Sequence, residues 1–122
     1  MPPALAVSLG DPAGVGPELI AEAWARRAAQ ALPPFFAVGG AGMLVAAART
    51  RGIHLPVRLI DTPQDAAAVF VHALPVLGSD DLDYTPGQPS QIGSNFALIS
   101  LTAAAAQAVS GAACGVVTGP IA

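Results

Sequence analysis

The chain has 122 residues, of which 53% are hydrophobic and 11% charged, and its formal net charge is −3. Its basic residues are five arginines with no lysine, so it lacks the basic stripe that binds nucleic acid. The length suits one domain. A typical domain has about 25% charged residues, so we expect this chain to be buried in something larger or to oligomerise extensively.

The first predicted element is a strand over residues 4–9, a short apolar run of the kind that is buried on both faces of a parallel sheet. A helical pattern begins at Pro17, where proline suits the first helical position, and extends to about residue 31. We expect Trp24, on this helix, to anchor the core against the sheet.

Residues 10–16, between this strand and this helix, contain three glycines. Glycine allows close approach to the backbone, and a helix N-terminus attracts anions. The segment therefore either holds an anionic ligand at the carboxyl end of the strand or is a tight turn without a ligand, and these features leave both interpretations open. The spacing matches neither G-x-G-x-x-G nor a P-loop.

The middle of the chain alternates between apolar runs and helical patterns. Strands are predicted over residues 35–38, 57–60 and within 69–76, with a helix over residues 43–51. The glycine-rich residues 39–42 could form another ligand loop, but we interpret them as a plain strand-to-helix connection. This order predicts an α/β domain with a parallel sheet.

A polar stretch over residues 78–89 carries Asp80, Asp81 and Asp83, but it lacks the alternating oxygen ligands of a calcium loop, and we predict a solvated loop. The predicted helix over residues 94–110 has no clean polar face, so we expect it to pack on the sheet on one side and on another domain or subunit on the other. A last strand is predicted over residues 115–118.

The chain offers few metal ligands. His54 and His72 have no second ligand at i+3 or i+4, and we interpret both as ordinary structural histidines. Cys114 is the only cysteine, which excludes an internal disulfide, and we expect it to be buried at the start of a strand.

Two stretches carry a family resemblance. Residues 10–18 read Gly-Asp-Pro-Ala-Gly-Val-Gly-Pro-Glu, and residues 117–122 read Val-Thr-Gly-Pro-Ile-Ala. Both resemble signatures of the 4-hydroxythreonine-4-phosphate dehydrogenase family of vitamin B6 synthesis, and they occur in the same order. The first is also similar, more loosely, to the Gly-Asp-Gly-Ile-Gly-Pro-Glu opening of isocitrate and isopropylmalate dehydrogenases.

The resemblance implies a fold like that of isocitrate and isopropylmalate dehydrogenases, with a parallel or mixed sheet and helices on both faces. Family members are about three times longer, so residues 1–122 would be the truncated N-terminal part of a two-domain dehydrogenase. The implied reaction oxidises the secondary alcohol of 4-phosphohydroxy-L-threonine, or a related hydroxy acid, with NAD and then loses CO2. The implied divalent metal (zinc, magnesium or cobalt) is held by three histidines beyond residue 122.

The resemblance also assigns site residues. The cofactor-binding positions would be Gly10, Asp11, Pro12, Gly14 and Gly16, and the substrate loop would be Thr118, Gly119 and Pro120. No catalytic residue or metal ligand falls in this segment, so the segment alone is expected to be inactive. The implied partners are a phosphorylated hydroxy-amino acid and a second copy in a homodimer, with no nucleic acid or membrane.

No basic region precedes the first apolar run, and no long apolar segment is free of glycine, proline or polar breaks, so we expect a cytoplasmic protein without a signal peptide. The alternative function is a free-standing α/β module that binds a nucleotide or phosphate without catalysis. A reading frame that continues past Ala122 into a lysine and three later histidines would favour the enzyme, whereas a stop codon would favour the module.

Overall fold

The computed structural model describes residues 3–119 of the chain. Five short apolar runs form strands: β1 Leu5–Ser8, β2 Phe35–Val38, β3 Val57–Ile60, β4 Leu74–Leu77 and β5 Val116–Thr118. Four α-helices connect them: α1 Gly16–Ala25, α2 Ala41–Thr50, α3 Ala66–Phe70 and α4 Gln91–Val109. A single 3-10 turn, Pro63–Asp65, leads into α3.

The strands form one sheet in the order β3-β4-β2-β1-β5, and every neighbouring pair is parallel. The middle of β1 is paired on both sides, since Val7 lies opposite Ala37 of β2 and Val117 of β5. The predicted α/β fold with a parallel sheet is therefore confirmed, and the described part contains no antiparallel pair.

Alternate strand residues face two separate helical layers. Val7, Ala37 and Val76 pack in one core cluster to which both α1 and α2 contribute. Their neighbours Ala6 and Phe36 pack in a second cluster with residues of α3 and α4. Helices thus lie on both faces of the sheet and bury most of the central strands β1, β2 and β4, which explains why those strands read as apolar runs without polar alternation.

Helix α1 ends earlier than the sequence predicts. It stops at Ala25, and a further turn follows before the chain reaches β2. Two hydrogen bonds close that turn, from the Ala31 N–H to the Ala28 carbonyl (3.2 Å) and from the Leu32 N–H to the Arg27 carbonyl (2.9 Å). This pattern is a Schellman motif. Its left-handed position is taken by Ala31, at a φ of 50°.

Trp24 anchors the core, as predicted, and it also joins α1 to α3. It is 6% exposed, and its indole N–H donates to the Phe70 carbonyl at 3.0 Å. The Arg27 guanidinium lies 3.6 Å from the centre of the Trp24 ring and donates to the Val71 carbonyl at 2.9 Å. These two donors satisfy carbonyls that the end of α3 leaves without helical partners.

The strand predicted within residues 69–76 is only partly correct. Val69 and Phe70 belong to α3, and the strand begins at Leu74. An apolar β-branched run looks the same in a short buried helix and in a strand. The Pro63–Asp65 turn starts helical structure before this run, and that crossover lets β3 and β4 pair in parallel.

Cys114 is exposed, so the expectation of a buried thiol is wrong. It lies in the loop just before β5, where its backbone N–H donates to the Ala4 carbonyl at 3.0 Å. The neighbouring Ala113, at 3% exposure, fills the core position instead.

Helix α4 packs on the sheet through one side only. Five small or apolar residues are buried there: Gly93, Phe96, Ala97, Ser100 and Ala104. Large apolar side chains, Ile92, Leu98, Ile99 and Val109, are exposed elsewhere on the helix. By length and composition α4 is the one helix of residues 3–119 that could cross a membrane, a test that core helices of soluble proteins also meet. The expectation that another domain or subunit covers it stays a prediction.

We expect Ala31→Gly to raise the free energy of unfolding by about 0.5–1 kcal/mol, because glycine adopts the left-handed conformation without the Cβ clash that alanine suffers. Urea denaturation measures the change. Gly52→Ala is the reciprocal control: Gly52 has a φ of +67° and an added Cβ would meet no atom within 4 Å, so that variant should lose a similar amount. A lower free energy of unfolding for Ala31→Gly would contradict the left-handed conformation of Ala31.

Candidate functional site

The two signature stretches lie side by side in the structure. Ser8, at the end of β1, is paired with Thr118, at the end of β5. The Gly119 N–H donates to the Ser8 carbonyl at 3.1 Å and lies 3.2 Å from the Ser8 hydroxyl. Residues about a hundred positions apart in the chain therefore meet at the carboxyl edge of the sheet.

Gly119 is in contact with the backbone that leads into the glycine loop, residues 10–16. A Cβ added to Gly119 would lie 2.7 Å from the Leu9 carbonyl oxygen and 2.8 Å from the Gly10 nitrogen. Real Cβ atoms do not approach backbone that closely, so only glycine fits. Gly10 itself has a φ of 74°, which turns the chain away from β1.

β5 joins the sheet beside β1, on the side opposite β2. The carboxyl ends of β1 and β5 therefore lie together, and the two signature stretches meet there. In open parallel sheets, ligands bind outside the carboxyl ends of the strands. The edge that carries both signatures is thus the edge where a ligand is expected.

Asp11 shapes the glycine loop from inside. Its Oδ1 accepts a hydrogen bond from the Ala13 N–H at 2.8 Å, and its carbonyl accepts one from the Gly14 N–H at 2.9 Å. The side chain is 0% exposed, and its Oδ2 has no hydrogen-bond partner among the described residues. Asp11 therefore fixes the turn and does not reach the surface.

Helices α1, α2 and α4 start at this edge, after β1, β2 and β4, and two of these three starts have side-chain caps. The Asp81 carboxylate accepts from the N–H groups of Gly42 (3.0 Å) and Met43 (3.2 Å) at the start of α2. The Ser90 hydroxyl accepts from the Gly93 N–H at 3.0 Å at the start of α4. In the described part of the chain, α1 has no side-chain cap from its N-cap residue, Val15.

The Asp81 carboxylate occupies the anion position at the start of α2, which favours the plain connection expected for residues 39–42. The aspartates of residues 78–89 are exposed, as expected of a solvated loop. Sequence reasoning nevertheless missed the cap, because Asp81 and Gly42 are 39 positions apart.

Ser100 is a second polar contact that the sequence did not reveal. Its hydroxyl accepts from the Leu9 N–H at 3.1 Å and donates to the Val38 carbonyl at 2.9 Å. It is 3% exposed. The hydroxyl thus bridges β1 and β2 where they separate, and it satisfies buried backbone groups that the sheet no longer pairs.

Glu18, the last residue of the first signature, lies in a polar network. It accepts a hydrogen bond from the Tyr84 hydroxyl and forms an ion pair with Arg51, whose Nε lies 3.0 Å from its Oε1. The hydrogen bond from Tyr84, and then the one from Arg51, hold the pKa of Glu18 below its ordinary value. Burial, and then the Glu18 carboxylate, raise the pKa of Tyr84 to about 12.

An apolar groove of about 330 Å³ runs beside α1 over β1 and β5. Leu19, Ile20 and Val117 are among its walls, and Gly16 and Gly119 lie along it. Leu19 and Val117 are each about half exposed, at 49% and 48%. The groove therefore joins an apolar surface to the uncapped start of α1.

The structure places seven of the eight predicted site residues at this edge: Gly10, Asp11, Pro12, Gly14, Gly16, Thr118 and Gly119. Pro120 lies outside the described residues. Within residues 3–119, no three His, Cys, Asp or Glu side chains are grouped to hold a metal ion. His54 and His72 are both exposed.

Gly119→Ala should lower the free energy of unfolding by about 2 kcal/mol or more, because the new methyl group would overlap the backbone of Leu9 and Gly10. Thermal and urea denaturation measure the loss. In the control Gly115→Ala, the added Cβ meets only Leu5 Cδ2, at 3.4 Å, so the change should stay within about 0.5 kcal/mol. Equal effects of the two substitutions would refute the close approach.

Known proteins provide an independent comparison. No protein-family profile matches the sequence. The chain is 48% identical to the 4-hydroxythreonine-4-phosphate dehydrogenase of Erythrobacter litoralis, over 97% of this chain and 35% of that protein. It is 39% identical to the protein of the same name from Zymomonas mobilis, over 96% of this chain and 34% of that protein. The chain spans about a third of the length of these curated relatives.

Solved structures agree with the sequence comparison. The crystal structure of 4-hydroxythreonine-4-phosphate dehydrogenase from Klebsiella pneumoniae matches 98% of this chain with a TM-score of 0.79 and 27% identity, and 38% of its own chain is covered. The protein of that name from Burkholderia phymatum, at 24% identity and a TM-score of 0.79, supports the fold alone. By sequence and by fold, this chain is homologous to about a third of the length of the 4-hydroxythreonine-4-phosphate dehydrogenases.

Proposed function

We propose that this chain supplies the cofactor-binding glycine loop of a dehydrogenase that oxidises the secondary alcohol of 4-phosphohydroxy-L-threonine or a related hydroxy acid. The observation that carries the proposal is the meeting of two signature stretches at the carboxyl edge of the sheet, through the contact of Gly119 with Leu9 and Gly10. The names of the homologous proteins support the reaction class.

NAD is the proposed cofactor, and the residues at this edge suit it. The uncapped start of α1 offers backbone N–H groups and a partial positive charge to a phosphate. The adjoining apolar groove suits a flat ring. When bound, NAD would accept a hydride from the alcohol carbon. The glycine loop would bind and orient the NAD.

Thr118 and Gly119, at the end of β5, line the same groove. We assign them, with Pro120, to the substrate loop. The exposed Thr118 hydroxyl is a donor and an acceptor for a polar substrate. Residues 3–119 lack a fitting set of metal ligands, so no step is assigned to a metal here, and we place the family's divalent metal on other parts of the longer proteins.

The remaining features of the proposal follow the family. The whole protein would be a cytoplasmic homodimer in pyridoxine biosynthesis, which leads to pyridoxal phosphate, and residues 1–122 would be the N-terminal part of its two-domain chain. The alternative, a nucleotide- or phosphate-binding module without catalysis, would use the same loop.

A chimeric enzyme tests the proposal. This chain replaces the 118 aligned residues of the Erythrobacter litoralis protein, which share 48% identity with it. We expect the chimera to reduce NAD when given 4-phosphohydroxy-L-threonine and a divalent metal, as measured by NADH absorbance. This chain alone should form no NADH.

The control is the same chimera with Gly14→Val, because a β-branched side chain in the loop should obstruct the cofactor. Its KM for NAD should rise about tenfold or more, while its thermal melt stays close to that of the parent chimera. A folded chimera that fails to bind NAD would overturn the proposal. NAD binding without turnover would favour the binding module.

A further inference from the structure

Residues 78–90, here called the acidic loop, hold the glycine loop through its backbone. The Thr85 N–H donates to the Pro12 carbonyl at 3.1 Å, and the Gly87 N–H donates to the Ala13 carbonyl at 2.8 Å. Because the peptide unit is planar and trans, fixing these two carbonyls also fixes the directions of the next two N–H groups. The acidic loop therefore sets the shape of residues 12–14.

Helix α4 supports the same loop from another direction. A Cβ added to Gly93, in its first turn, would lie 3.0 Å from Pro12 Cγ and 3.4 Å from Asp11 Oδ1. The first turn of α4 thus packs directly on the Asp11–Pro12 turn. Contacts to α4 and to the acidic loop leave the glycine loop little freedom.

Tyr84 ties the acidic loop to the signature itself. It directly precedes Thr85, its ring packs against the core cluster, and its hydroxyl donates to Glu18. The Glu18 carboxylate is in turn held by Arg51, and the Thr50 hydroxyl donates to it at 3.3 Å. The contacts form a closed path from Glu18 through Tyr84 and Thr85 back to Pro12.

We propose that Tyr84 and Glu18 are positioning residues: their hydrogen bond holds the acidic loop so that the glycine loop keeps its ligand-binding shape before the ligand arrives. The proposal rests on the proposed function, because it assumes that the glycine loop binds NAD. A preorganised loop loses less conformational freedom on binding, and the ligand then binds more tightly. Both residues would act through the glycine loop.

Hydrogen exchange and NAD titration of the complete chain test the proposal together. Tyr84→Phe removes only the hydroxyl and keeps the ring in the core. We expect exchange at the Thr85 and Gly87 amides to become about tenfold faster or more, as for a lost hydrogen bond to a charged group. The dissociation constant for NAD should rise about threefold or more, while the melting temperature of the domain stays unchanged.

The matched control is Arg51→Gln, which removes the ion pairs of Arg51 with Glu18 and Glu22 but leaves the Tyr84 hydroxyl and the acidic loop unchanged. This control should leave the exchange rates of the Thr85 and Gly87 amides and the affinity for NAD unchanged. Glu18→Gln keeps an acceptor for Tyr84 and should rescue most of the protection, whereas Glu18→Ala should behave like Tyr84→Phe.

Unchanged exchange at Thr85 and Gly87 in Tyr84→Phe would overturn the proposal, and so would faster exchange with unchanged NAD affinity. An equal response in Arg51→Gln would also overturn it, because the effect would then come from the ion pair. If the unsubstituted chain binds no NAD, the proposed cofactor site is wrong, and the exchange measurement alone decides whether Tyr84 holds the loop.

Discussion

The site depends on one backbone contact, that of Gly119 with Leu9 and Gly10. No side chain fits between these segments, since a Cβ would lie 2.7 Å from the Leu9 carbonyl. The contact becomes possible because β5 pairs with β1 in a register that sets Thr118 beside Ser8. A crossover of about forty residues, including α4, must form before this pairing closes. The two signature stretches therefore become a site only when the sheet is complete.

Side-chain caps decide which of the starts of α1, α2 and α4 remains available at that edge. A carboxylate from the acidic loop caps α2, and a serine caps α4. The Ser100 hydroxyl forms hydrogen bonds with the Leu9 N–H and the Val38 carbonyl, at the ends of β1 and β2. The start of α1 has no side-chain cap within the described residues, and Gly16 at that start lines the same groove as Gly119. This asymmetry distinguishes the glycine loop from the similar glycine run at residues 39–42.

Local sequence patterns predicted the fold well. The bounds of β2 and β3 were correct, because short apolar runs between prolines and glycines leave little choice. Those patterns were less reliable at α3, because a short apolar run can form either a helix or a strand. They also failed at the end of α1, where the helix stops earlier than its apolar pattern does. The two signatures identified the edge of the site. Its supporting residues Asp81, Tyr84 and Ser100 could not be predicted, because their partners are 38 to 91 positions away.

The most direct test of the central claim is an NMR titration of this chain with NAD, in which each perturbed backbone amide is assigned. Ligand binding at the glycine loop and the end of β5 predicts saturable shifts at residues 10–16 and at Thr118 and Gly119, with residues 39–42 unaffected. Shifts centred on residues 39–42, or no saturable shift at any described residue, would contradict it.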